Sequence, residues 1–142
     1  MQGISVVIPF YCGNSYLETM AEQLKKNINN FKSDLKNVEV EVILVNDSPW
    51  STIDESKLSA IKQSYKIVVN KKNSGIHQSR VNGINIASCD YILLLDQDDK
   101  ISENYFESQY EKAMNYYNYC PQTYNSSKCR FNYCEWSAKD RR

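Results

Sequence analysis

Asp90-Tyr91-Ile92-Leu93-Leu94-Leu95-Asp96-Gln97-Asp98-Asp99 drives the most apolar run of the chain straight into three carboxylates. Tyr91 to Leu95 reads as a strand buried between two layers, and the abrupt change at Asp96 marks its exit to solvent. Three carboxylates within four residues repel one another unless a cation or water neutralises them. Hard oxygen ligands of this kind suit Mg²⁺ or Mn²⁺ rather than zinc, and a metal held there would bridge to phosphate oxygens. The plainer alternative is a solvated acidic turn ahead of the next helix, where negative charge is favourable.

Upstream of that strand, short β-branched runs alternate with helical patterns, which predicts an α/β fold with a mostly parallel sheet and flanking crossover helices. Ile4 to Phe10 reads as a first strand buried on both faces, stopped by Pro9 and the Cys12-Gly13-Asn14 turn. Ser15 and Glu18 form a capping-box pattern for a helix whose Leu17, Met20, Ala21, Leu24, Ile28 and Phe31 share one face. Val38 to Val45 is the second strand, closed by Asn46-Asp47-Ser48-Pro49. Ser51 to Ser64 carries Ile53, Leu58 and Ile61 as a weaker amphipathic helix. Lys66 to Val69 is a third, short strand, and Asn73-Ser74-Gly75 turns into a helix from about Ile76 to Ala87. Beyond the acidic cluster, a helix from about Ser102 places Phe106, Tyr110, Ala113, Met114 and Tyr117 on one face.

With 42% hydrophobic and 24% charged residues, the 142-residue chain has the composition of one globular domain. Seventeen basic side chains balance seventeen acidic ones, so no basic field exists to capture nucleic acid or anionic lipid. Ile4 to Tyr11 contains Ser5 and Pro9 and follows no basic stretch, so it is expected to be neither a signal peptide nor a transmembrane segment. The default location is cytoplasmic. Cys12, Cys89, Cys120, Cys129 and Cys134 cannot all pair within one chain and lack CxxC spacing, so free thiols are expected. A zinc site on Cys120, Cys129 and Cys134 would need a fourth ligand, and the only histidine, His77, lies far upstream. Val, Ile and Leu number 29 from Ile4 to Ile101 and are absent from Ser102 to Arg142, so the first hundred residues must build the aliphatic core.

In an open parallel sheet, loops and helix N-termini converge beyond the carboxyl ends of the strands, and ligands bind there. The polar clusters of this sequence fall on those ends. Pro9 and Tyr11 follow the first strand, Asp47 the second, Asn73-Ser74-Gly75 the third, and Asp96, Asp98 and Asp99 the fourth. No GxGxxG follows the first strand and no GxxxxGK[ST] occurs anywhere, so phosphate must be held in some other way than by those loops.

Four ordered blocks resemble the family 2 glycosyltransferases, which have the GT-A nucleotide-sugar fold. Ile4-Ser5-Val6-Val7-Ile8-Pro9-Phe10-Tyr11 is similar to the family's opening strand, Val42 to Ser48 (VILVNDS) to its second strand and acidic turn, Asn73 to Ala87 (NSGIHQSRVNGINIA) to its NxGxxxARNxG segment, and Asp90 to Asp99 to the strand delivering its DxD motif. The resemblance implies a nucleotide-sugar donor, a UDP-sugar above all, held with Mn²⁺ or Mg²⁺ for transfer to a saccharide or other hydroxyl acceptor. By it, Pro9 and Tyr11 line the nucleoside pocket with the tyrosine ring against the base. Asp47 accepts a hydrogen bond from the base, Arg80 lies near the nucleotide, and Asp98 reaches the ribose or the metal. Asp99 ligates the ion, and Asp96 begins the motif and holds it in place. Asn46 and Ser79 depart from the family's usual Asp and Ala.

The resemblance divides the chain into a nucleotide-sugar-binding half over 1–115 and an atypical tail over 116–142. The family's acceptor half, with its acidic general base, matches nothing here, so the sheet is expected to be incomplete on its C-terminal side and no catalytic base is named. An exposed sheet edge then points to a homo-oligomer, and the enzyme to a place in the cytoplasm or at the inner face of the membrane. Two other readings stand beside this one. A non-catalytic nucleotide-binding remnant would keep the donor site alone. A haloacid-dehalogenase-like phosphatase would use Asp96 as nucleophile and Asp98 as acid, but it wants Thr where Lys100 stands.

Overall fold

Four parallel strands form the middle layer of the computed structural model, which describes residues 2–34 and 37–119. They are β1 (Gly3–Phe10), β2 (Glu39–Asn46), β3 (Tyr65–Val69) and β4 (Tyr91–Leu94), in the order β3-β2-β1-β4. Three α-helices flank them: α1 (Leu17–Asp34), α2 (Gly75–Ile86) and α3 (Tyr105–Tyr119). The α/β class and mostly parallel sheet read from the sequence are those observed.

Side chains of β1 and β2 alternate between two cores. Ile4, Val6, Ile8 and Phe10 join Val40, Val42 and Leu44 in the larger core with α1 and α3, where Leu17, Met20, Ala21, Leu24, Ile28 and Phe31 are all buried, as their spacing predicts. Val7, Ile43 and Val45 face the other way, under α2. There the helix comes close because Gly83 has no side chain: a Cβ would lie 2.4 Å from Val7 Cγ1. α3 has no Val, Ile or Leu of its own and is anchored chiefly by rings. Phe106 is fully buried, and Tyr110 packs edge-to-face on Phe31 and Tyr91 with ring centres 5.3 and 5.4 Å apart.

Several local expectations are corrected. Pro9 does not stop the first strand; it lies inside β1, paired with Val45. The backbones of Val7 and Pro9 face β4, since Leu95 N donates to Val7 O, but that ladder ends at Val7 opposite Leu94. The missing N–H of Pro9 therefore removes no ladder bond. Ser15 and Glu18 do not make a capping box. Asn14–Tyr16 instead forms a 3₁₀ turn closed by Tyr16 N on Gly13 O, and α1 starts after it at Leu17. The helix expected over Ser51 to Ser64 is a 3₁₀ segment, Glu55–Ile61, capped by Asp54, although Ile53, Leu58 and Ile61 are buried as predicted. Cys12 is an exposed free thiol and Cys89 a buried one. The Tyr117 side chain, the tail from 120 onward and the cysteines at 120, 129 and 134 lie outside the described residues. Among the described residues no helix is long and apolar enough to cross a membrane.

Near the amino ends of the strands, Glu41 is buried and gathers donors from three other parts of the chain. Ser5 Oγ donates to Oε1 at 2.5 Å, Ser88 N at 2.6 Å, and Lys66 Nζ reaches Oε2 at 2.9 Å. Burial alone would raise the Glu41 pKa, but these donors outweigh it and hold the carboxyl at about 2.

Candidate active site

All four strands run the same way, so their exits share one edge of the sheet, and the order 3-2-1-4 reverses at β1. A crevice opens between the loops after β1 and β4, where such a reversal places a ligand site. It is a cleft of about 420 Å³, lined by Pro9, Phe10, Tyr11, Asp47, Asn73, Gly75, Ile76, Ser79, Asp96, Gln97 and Asp98. Five residues singled out from the sequence, Pro9, Tyr11, Asp47, Asp96 and Asp98, thus meet at one surface. Arg80 and Asp99 adjoin it through Asp96, to which Arg80 is ion-paired and Asp99 hydrogen-bonded.

Asp47 extends the β2 ladder, its N–H donating to Phe10 O, and its buried carboxylate organises the next loop. Oδ1 accepts from Ser74 N at 2.7 Å and from Asn70 Nδ2 at 2.8 Å, and Oδ2 accepts from Gly75 N at 2.9 Å. Burial pushes the Asp47 pKa up, but the bonds from Ser74, Asn70 and Gly75 prevail and it lies below the ordinary carboxylate range. The carboxylate therefore caps the N-terminus of α2, a position its charge favours. Asn70, absent from the sequence reading, also donates to Ser79 Oγ and accepts from Asn82 Nδ2, so α2 is tied to the end of β3.

The three acidic residues after β4 have different surroundings. Asp96 Oδ1 pairs with Arg80 Nη2 at 2.8 Å, both side chains about one-third exposed. Asp99 Oδ2 accepts from Asp96 N at 2.8 Å while Asp99 N donates to Asp96 O, which closes the turn on itself. Asp98 is exposed in the cleft and makes no hydrogen bond or ion pair among the described residues. Behind this turn, Gln23, Asn27 and Asn30 form a stripe on α1 at helical spacing. Gln23 Oε1 accepts from Ile101 N, Asn27 Oδ1 accepts from Phe106 N, Asn27 Nδ2 donates to Ser102 O and Asn30 Nδ2 to Glu103 O. These amides fix the chain between the acidic turn and α3.

On the β1 side, the exposed Tyr11 ring packs edge-to-face on Trp50, with centres 5.8 Å apart. Asn46 bonds Ser48 through Oδ1 and donates its Nδ2 to Ser51 O, a bond that an Asp in its place could not make. It shapes the loop that carries Trp50.

Residues 5–136 match Glycosyl transferase family 2. The chain belongs to this family. Among relatives, "Glycosyltransferase GlyG" of Streptococcus pneumoniae is 31% identical over 128 residues, covering 82% of this chain and 40% of that protein. "Minor teichoic acid biosynthesis protein GgaB" of Bacillus subtilis is 35% identical over 106 residues, covering 73% of this chain and 11% of its own length. The crystal structure of S. aureus TarS 1-349 superposes with a TM-score of 0.61 at 20% identity, over 82% of this chain and 33% of that one, and shows the same GT-A fold. The chain thus spans well under half the length of these proteins.

Membership makes this chain a transferase by family, and the Arg80 pairing of Asp96 argues against a free nucleophile there. A family 2 site that holds a divalent cation on one or two carboxylates and the donor's phosphates needs no all-protein cage. Among the described residues there is no cluster of three such ligands, and the donor set fits the sparser kind: the open Asp98, and the second oxygen of Asp99.

Proposed function

We propose that the cleft binds a nucleoside diphosphate sugar, a UDP-sugar, with Mn²⁺ or Mg²⁺ at Asp98 and Asp99, for glycosyl transfer to a saccharide or other hydroxyl acceptor. The observation that carries the reading is the convergence of all four strand exits on one cleft, whose lining includes both the exposed Tyr11 and the unpaired Asp98. Tyr11 offers its ring to the base, Pro9 floors the nucleoside pocket, and Asp47 keeps an acceptor position on Oδ2 for a base N–H. The first two N–H groups at the start of α2 are already taken by Asp47, so the diphosphate is held from the acidic turn rather than by that helix end. A bound cation would neutralise the diphosphate leaving group as the acceptor hydroxyl attacks the anomeric carbon. Arg80 holds Asp96, and with it the turn, in position from behind.

No general base is assigned. Of the cleft carboxylates among the described residues, Asp47 is engaged by backbone and amide donors, Asp96 by Arg80, and Asp98 is given to the cation. The cleft is expected to bind the donor in a metal-dependent way. A cytoplasmic location, at most peripheral to the inner face of the membrane, goes with this reading. Calorimetry of UDP with Mn²⁺ and with excess chelator tests the donor reading: metal-dependent binding is expected, and equal affinity in both would refute it.

A further inference from the structure

The side chain of Gln97, the middle residue of the acidic motif, does not point at solvent. Its Oε1 accepts from Tyr11 N at 2.9 Å and its Nε2 donates to Tyr11 O at 3.3 Å, a two-pronged bond across 86 residues of sequence. A carboxamide offers a donor and an acceptor side by side, matching the N–H and C=O on either side of one Cα. A second feature is built around the same contact. A Cβ on Gly13 would lie 2.4 Å from Gln97 Oε1 and 2.9 Å from its Cδ, so the absence of a side chain at position 13 is what admits the amide.

Resting on the donor reading above, we propose that Gln97 is a positioning residue: it latches the loop bearing Tyr11 to the turn bearing Asp96 and Asp98, and so fixes the distance between the base and diphosphate ends of the donor site. The β1–β4 ladder stops at Val7 and Leu94, so beyond it the two loops have no sheet bonds to hold them in register. Gln97 supplies that link at the place where a ligand must span both. A ligand whose two ends are covalently joined gains from a fixed separation, because the second end binds as an intramolecular event. Separate fragments gain nothing from it.

The test compares wild type with Gln97→Leu, which removes both bonds, and Gly13→Ala, which displaces the amide. Titrations use uridine alone, Mn²⁺ with pyrophosphate, and Mn²⁺ with UDP. Both variants are expected to bind the two fragments like wild type while binding UDP about tenfold more weakly. Unchanged UDP affinity, or a parallel loss for fragments and UDP, would overturn the latch as a positioning device. Failure of wild type itself to bind UDP would overturn the donor reading instead. The link between the loops is then read by hydrogen exchange: faster exchange of the Tyr11 amide in both variants, with the β1–β2 amides unchanged, supports it, and unchanged Tyr11 exchange refutes it.

Discussion

Replacing Glu41 by Gln should leave the cleft untouched and remove much of the acid sensitivity of the fold. Glu41 sits on β2 near the amino ends of the strands, with donors from Ser5, Ser88 and Lys66 and little access to water. Its pKa is depressed from an ordinary 4.5 to about 2, because those bonds outweigh the burial that would raise it. A depressed carboxylate stabilises the fold fully above the unfolded pKa and loses that contribution as pH falls through the folded one. The window here runs from 4.5 down to 2. The difference corresponds to about 3 kcal/mol. Lys66 is half exposed, so its share is screened and the two serine donors carry most of it.

Urea unfolding at pH 7, 5 and 3 measures this. Wild type should be progressively destabilised below pH 4.5, whereas Glu41→Gln should start lower at pH 7 by about 2 kcal/mol and lose less on acidification, the curves converging toward pH 2. UDP binding at pH 7 should be the same for both proteins. Parallel pH profiles for the two would refute the reasoning, since they would mean that the Ser5–Glu41–Ser88 bonds do not favour the ionised form.

The remaining expectations concern the site and the packing that supports it. Asp98→Asn and Asp99→Asn should each remove most of the Mn²⁺ dependence of UDP binding without lowering Tm, because Asn at 99 can still accept from Asp96 N; Asp96→Asn should weaken binding but keep the metal dependence, and calorimetry with and without chelator separates the three. Gly83→Ala should destabilise by about 1–3 kcal/mol in denaturant unfolding, since its Cβ would meet Val7 at 2.4 Å and Val45 at 3.0 Å in a packed interface. Trp50→Ala should weaken uridine binding several-fold while leaving pyrophosphate binding unchanged, because only the Tyr11 ring loses its support. β3 forms one edge of the sheet and no described strand pairs with the outer edge of β4, so light scattering at high concentration should show self-association; a clean monomer would count against it.

The sheet and the apolar face of α1 were legible because burial writes a period into the sequence: Leu17 to Phe31 repeat every third or fourth residue, and Tyr91 to Leu95 never break. Local start signals were less dependable. Ser15 and Glu18 have the spacing of a capping box, but Asn14 is engaged elsewhere, donating to Thr52 O and accepting from Asp54 N, and the chain enters α1 through a 3₁₀ turn instead. Ile53, Leu58 and Ile61 likewise carried the right burial and the wrong helix, since Asp54 caps a tighter turn.

Least legible were the polar residues that hold the site together. Gln97, Gln23 and Asn27 find backbone partners 75 or more residues away and Asn70 finds side chains of other elements, and nothing in the spacing of an amide announces such partners. The acidic turn shows what this conceals. In sequence, Asp96, Asp98 and Asp99 are three equivalent charges, and their mutual repulsion is an argument for a cation shared by all. In the fold, Arg80 neutralises the first and the turn's own N–H engages one oxygen of the last, so the charge still seeking a partner is concentrated at Asp98 and the outer oxygen of Asp99. The unmet charge is therefore smaller than the sequence count implies, and of the three carboxylates it falls chiefly on Asp98, which lines the cleft with no partner among the described residues.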